Sequence, residues 1–219
     1  ERKPTNCSRS WKWLRSPKRS FSLAYATLVK ELRRLAKLNV TDERAAHIAG
    51  SEDYAYRLCA KHRLPFDPVL IGVLAHDLFR DWPVERLRSV AKRSGMDANP
   101  YLERAPILYH GIIAGLFLER WRGELRSRPE IVEAVTHHST GYPFRSYIGK
   151  ILFIADSLEE TRDYPGVWEL RQIADSDYEK GYIAVLEHKI AYFLEKKYLL
   201  LPETVAAWNA AVTGEVWKV

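Results

Sequence analysis

The segment 68–79, Pro-Val-Leu-Ile-Gly-Val-Leu-Ala-His-Asp-Leu-Phe, constrains this chain more than any other. It reads as helix, with Asp67 placed to cap it and Pro68 suited to its first turn. Apolar residues lie on every side, so the helix belongs inside the protein with other elements wrapped around it. It ends on His76-Asp77. Burying a carboxylate without a partner costs several kcal/mol or forces it to take up a proton. A divalent metal ion removes that cost, and imidazole beside carboxylate is a ligand pair that borderline and hard divalent ions accept. Chemistry is therefore expected at this pair.

What surrounds the buried helix also reads as helix, with almost no strand signal. Residues 21–38 carry Leu28, Leu32 and Leu35 at helical spacing with Lys and Arg between them. Thr41 caps a helix that begins with Asp42 and Glu43, carries His47 and ends near His62. A Pro83-led helix stops at Gly95. Asn99-Pro100 and Pro106 mark a loop before a helix over 107–121. Pro129 leads a helix to His138, and Gly141-Tyr142-Pro143 is a loop before a helix over 147–160. Residues 162–166 break the chain, and helices over 168–174, 177–197 and 202–212 complete it. The expected fold is all-α, a single helical bundle over 21–219 behind a basic N-terminal extension, 1–20.

The chain of 219 residues can bury a sizeable core, and its 47% hydrophobic content marks it as globular. Cys7 and Cys59 form no CxxC pair, so a reducing cytoplasm is the expected compartment. No apolar run is long enough to span a bilayer, and the basic start lacks the apolar core of a signal peptide. The formal charge of +6 is concentrated at the front. There Arg2, Lys3, Arg9, Lys12, Arg15, Lys18 and Arg19 are opposed only by Glu1, with Trp11 and Trp13 interleaved. Such a segment suits a weak nucleic-acid or membrane-surface contact, or is a solvated tail whose aromatics pack on the domain.

A His-Asp dipeptide alone is a weak signal; its company makes it stronger. His47 lies beside Ala46 and Gly50, small residues that leave room for a ligand. Asp156 is a second carboxylate in an apolar helix, Ile151-Leu-Phe-Ile-Ala-Asp-Ser-Leu. His47, His76, Asp77 and Asp156 together make a four-ligand set that leaves positions open for water and substrate on an octahedral ion. His62 and His188 read as core histidines satisfied by hydrogen bonds.

The order His47, His76-Asp77, Asp156 resembles the H…HD…D pattern of the HD phosphohydrolase superfamily. More narrowly it resembles the YqeK-type HD family of symmetrical bis(5'-nucleosyl)-tetraphosphatases. Matching stretches are Arg44-Ala-Ala-His47, Ala75-His-Asp-Leu-Phe-Arg80, Leu108-Tyr-His110-Gly111, His138-Ser-Thr-Gly141 and the run from Ala155-Asp-Ser-Leu-Glu-Glu-Thr-Arg162 to Val167. Leu200-Leu-Pro-Glu-Thr204 followed by Asn209 also fits. The resemblance spans about residues 28–212.

It implies a metal-dependent hydrolase that cuts diadenosine tetraphosphate into two ADP by attack of metal-bound hydroxide on an internal phosphorus. The implied cofactor is a divalent metal, iron first, with manganese, cobalt or nickel as alternatives. His47, His76, Asp77 and Asp156 match the family's metal ligands, and Asp77 is also placed to orient the water. His110 and His138 match catalytic histidines that face the phosphate, a role favoured here over a second metal site. Gly50, Arg80 and Arg162 fall at substrate-binding positions, and the segment 198–202 at part of the nucleobase pocket. Two departures stand out. Arg80 replaces a usual Lys, exchanging a point charge for a fork. Tyr142 stands where an Arg is often found, with Arg145 nearby as a substitute. The implied partner is a dinucleoside polyphosphate, in a cytoplasmic protein for which a homodimer is open. The competing readings are an HD hydrolase of another nucleotide, and a non-catalytic helical module that binds nucleic acid through the tail.

Overall fold

The computed structural model describes residues 23–96, 99–121 and 123–214. The basic segment 1–20, with the expectations attached to it, lies outside the described residues. Among these the chain is helical, with no strand, as the patterning predicts. In order the helices are α1 (Leu23–Asn39), α2 (Asp42–Lys61), α3 (Asp67–Ala75), α4 (Val84–Arg93), α5 (Pro100–Arg104) and α6 (Tyr109–Trp121). They continue with α7 (Pro129–Thr136), α8 (Tyr147–Leu158), α9 (Val167–Ser176), α10 (Tyr178–Glu195) and α11 (Pro202–Thr213).

Helix α3 is the axis of the bundle. Residues 68–75 are all buried, enclosed by α1, α2, α7 and α8. Covering side chains such as Val69, Leu70, Ile71 and Leu74 stabilises the fold by roughly 1.5–3 kcal/mol each. Gly72 lets the neighbours come close: a Cβ there would meet Leu152 at 3.3 Å and Val135 at 3.9 Å. Helix α8 is the second buried element, packed on α2, α3, α7 and α10. His47, His76-Asp77 and Asp156 thus sit on three mutually packed helices, which is what brings them together.

Local capping follows the sequence at most ends. The Thr41 hydroxyl accepts from Arg44 N, and Thr41 N and Oγ1 both donate to Asp81 Oδ2 at 2.9 Å. This ties the α1–α2 corner to the turn that follows His76-Asp77. Two expectations are corrected. Asp67 does not cap α3: Phe66 holds that position in a helical conformation, Asp67 is the first helical residue, and its Oδ1 is buried without a hydrogen-bond partner. The stretch expected as loop after Asn99 is the short helix α5, because Asn99 Oδ1 accepts from Tyr101 N and Leu102 N while Pro100 begins the turn. Cys59 is free and buried. No helix among the described residues is long and apolar enough to cross a membrane.

Candidate metal centre

Helix α3 ends at Ala75, leaving its last carbonyls without helical partners. His76 Nδ1 takes one of them, bonding to Val73 O at 2.7 Å. The same device recurs twice: His110 Nδ1 reaches Ile107 O at 2.6 Å and His138 Nδ1 reaches Val135 O at 2.7 Å. A carbonyl can only accept, so each of these rings carries its proton on Nδ1. The Nε2 atoms are thereby aimed inward as lone pairs.

His47 is held differently. It lies inside α2, where the main-chain carbonyls are already engaged, and its Nδ1 meets Glu159 Oε1 at 3.1 Å. The four Nε2 atoms come together in two pairs, His47 with His76 at 3.4 Å and His110 with His138 at 3.0 Å. Lone pairs aimed at each other across such distances call for a cation or a proton between them.

Asp77 lies between the pairs. Its Oδ2 is 3.8 Å from His47 Nε2 and 3.7 Å from His76 Nε2, and its Oδ1 is 3.1 Å from His110 Nε2 and 3.5 Å from His138 Nε2. Asp156 Oδ1 closes the first group, 3.0 Å from His47 Nε2 and 4.0 Å from His76 Nε2. All four expected ligands therefore converge. His47, His76 and Asp77 could hold one ion; Asp77, His110 and His138 form a second convergent group. Two imidazoles with two carboxylates suit a divalent transition metal, and the buried lone pairs are what such an ion satisfies.

The electrostatics agree. Burial pushes His76 down to about 4, keeping it neutral, and also lowers His110. Burial works against the charges of Asp77 and Asp156, but it is outweighed. The His76, His110 and His138 rings packed around it hold Asp77 well below the usual carboxylate range. His47, Lys189 and His76 do the same for Asp156. Burial would likewise lower His47, yet its bonds to Asp156 and Glu159 raise it to about 9. The centre thus combines ionised carboxylates with a neutral His76, while His47 keeps a proton that it would have to release to bind an ion.

Cations rim the centre. Arg44 Nη1 donates to Asp77 Oδ2 at 2.8 Å, and Arg162 donates to Asp156 O at 3.0 Å and to Asp156 Oδ1 at 3.2 Å. Lys189 Nζ lies 3.9 Å from Asp156 Oδ2. Beside Asp156 a cleft of about 700 Å³ opens, lined by Arg162, Tyr164, His188, Lys189 and Tyr192. The Tyr164 and His188 rings stack there at 5.0 Å. His188 is thus a cleft residue, which corrects its reading as a satisfied core histidine; His62 is half-buried and hydrogen-bonded, with Nε2 against Ala174 O at 3.0 Å.

The other expected substrate residues are placed as follows. Arg80 is half-buried in the turn after Asp77. On its Cβ side Gly50 is already filled, because the space a Cβ would take holds Glu159 Oε2, 2.5 Å away. Tyr142 stacks on His137 at 4.2 Å, and Arg145 is exposed and acts on the charge of Glu133. In the 198–202 segment the Tyr198 ring meets the cleft residue Tyr192 at 6.0 Å. Thr204 Oγ1 bonds Thr140 O at 2.8 Å, fastening α11 to the His138-Ser-Thr-Gly141 loop. Sequence reasoning missed the roles of Arg44, Glu159 and Lys189. The first lies one helical turn before His47 and the second one turn after Asp156, a faint signal. Lys189 carries none.

A helical bundle in which a His-Asp pair ending a buried helix meets a histidine from an earlier helix and an aspartate from a later one is the architecture of the HD-superfamily hydrolases. No protein-family model matches the chain. It is 25% identical over 178 residues, 81% of its own length and 94% of the relative's, to the symmetrical bis(5'-nucleosyl)-tetraphosphatase of Bacillus subtilis. The enzyme of that description from Staphylococcus aureus is 21% identical over 183 residues, 83% of this chain and 93% of the relative. A crystal structure from Clostridium acetobutylicum, described as a predicted HD superfamily hydrolase involved in NAD metabolism, superposes with a TM-score of 0.76. It is 26% identical in sequence and covers 85% of this chain and 97% of its own. With the fold and the convergent centre, these likenesses make the chain similar to the YqeK-type HD enzymes.

Proposed function

We propose that the protein hydrolyses dinucleoside tetraphosphates symmetrically, converting diadenosine tetraphosphate and water to two ADP. The observation that carries this is the convergence of His47, His76, Asp77 and Asp156 beside a cleft rimmed by Arg162 and Lys189. The likeness to symmetrical bis(5'-nucleosyl)-tetraphosphatases supports the substrate class.

In this reading the four residues are the ligands of one divalent ion, iron in the first instance. When bound, the ion supplies a water acidified towards neutral pH and polarises a phosphoryl oxygen. Asp77 orients the attacking water towards an internal phosphorus. The bond broken joins that phosphorus to the central bridging oxygen, which departs with the other ADP. His110 and His138 hydrogen-bond the phosphoryl oxygens, and Arg80 and Arg162 spread their growing charge. The cleft is large enough for a nucleotide, and its Tyr164 and Tyr192 rings offer faces for a base.

The test is metal analysis of the purified protein, followed by hydrolysis of diadenosine tetraphosphate with added ferrous or manganous ion and separation of products by anion exchange. ADP as sole nucleotide product is expected. AMP with ATP, or cleavage of NAD in preference to the tetraphosphate, overturns the substrate assignment. Two bound ions per chain would move His110 and His138 from phosphate contacts to ligands, with Asp77 shared between the ions.

A further inference from the structure

Glu159 caps the end of α8 and is fully buried. A carboxylate there needs partners on all sides, and it has them. Oε2 accepts from Thr161 N at 2.8 Å, Oε1 accepts from the Thr161 hydroxyl at 2.5 Å, and Oε1 also meets His47 Nδ1 at 3.1 Å. Arg171 pins the backbone beneath it, donating to Leu158 O and Glu159 O at 2.9 Å and to Arg162 O at 3.0 Å. On the opposite wall the helix is cut away: a Cβ at Gly50, one turn after His47, would stand 2.5 Å from Oε2.

The other three histidines of the centre obtain their tautomer from main-chain carbonyls three residues earlier. His47 cannot, being inside α2, so its orientation depends on a side chain. We propose that Glu159 is the positioning residue for His47, fixing the proton on Nδ1 so that Nε2 faces the ion, and that Gly50 is required to admit Glu159 rather than substrate. A carboxylate acceptor does more than a carbonyl: it makes the imidazole a stronger donor to the metal. The inference rests on His47 being a ligand, as proposed above.

The test is titration of metal-free protein with manganous ion by calorimetry, without substrate. Glu159→Gln and Gly50→Ala should each weaken the ion about 10- to 100-fold, the range for loss of such outer partners. KM for the tetraphosphate at saturating ion should not move. Thr161→Val, which removes one donor to the carboxylate at nearly constant volume, is the milder variant, expected to weaken the ion by a smaller factor. Wild-type affinity in the folded variants overturns the proposal, even if their melting temperatures fall, because Glu159 would then be structural only. Should the unaltered protein bind no manganous ion, the metal centre itself fails, and this proposal with it. Weakened binding without any hydrolysis of the tetraphosphate would support the role of Glu159 and refute only the substrate assignment.

Discussion

Replacing His76 by alanine separates the contribution this side chain makes to the fold from the one proposed for it towards an ion. The ring is fully buried, bonded to Val73 O at 2.7 Å and packed edge-on to His47 and His138 at 5.5 and 4.9 Å between centroids. Truncation orphans a buried carbonyl, which costs about 1–3 kcal/mol. For a chain of this size about 1 kcal/mol corresponds to roughly 2–4 °C of melting temperature. The metal-free variant should therefore melt about 2–12 °C below the metal-free parent. The second contribution follows from linkage. An ion present at a hundred times its Kd stabilises the folded state by about 2.7 kcal/mol, or roughly 5–11 °C on the same scale. Thermal unfolding with and without manganous ion should show that rise in the parent and none in His76→Ala, whose turnover should fall to background. A variant that keeps the ion-dependent rise, or that turns over at the parental rate, refutes the assignment of His76 as a ligand.

Arg162→Ala removes the donor to Asp156 and one cationic wall of the cleft. At about 1.5–3 kcal/mol for a hydrogen bond to a charged group, kcat/KM should fall roughly 10- to 100-fold; an unchanged value refutes a phosphate contact. The metal-free protein should lose stability on both sides of about pH 6.5, the unfolded histidine value. Burial holds His76 and His137 at about 4, so the unfolded chain binds more protons and stability falls from pH 6.5 towards 4. His47 is raised to about 9, so its contribution is full below pH 6.5 and is lost as pH rises through 9. Urea midpoints measured across this range check both limbs, and a flat profile contradicts them. Gly181→Ala places a Cβ 2.6 Å from Ala174 Cα, where backbone must give. Forcing it in should cost about 1–3 kcal/mol, read as a lower urea midpoint with kcat/KM at low temperature unchanged; an unaltered midpoint shows that α9 and α10 have slack.

Much of the centre was legible because its residues leave a mark in one dimension. His76-Asp77 stands out at the end of a helix whose other charge is Asp67 at its start, and Asp156 stands out in an apolar run. The motif order then supplied His47, His110 and His138, and the structure brings every one of these side chains into a single cluster. The surroundings of Gly50 and His188 were not legible, for a common reason. A glycine shows that something approaches closely, but not what, and here it is the Glu159 carboxylate. A histidine on a helix face shows that it is half apolar, but not whether the neighbouring space is filled or open.

From the linear chain alone came the helical class, the central place of α3, the cap at Thr41 and the four candidate ligand positions, because periodicity, turn chemistry and buried charge are local properties. The tertiary structure decided what depends on distance between helices far apart in the chain. It set the inward aim of the Nε2 atoms, the sharing of Asp77 between two histidine pairs and the seat of Glu159 behind His47. It also set the cleft walled by Arg162 and Lys189. No spacing rule carries such contacts, since each depends on how two packed surfaces meet.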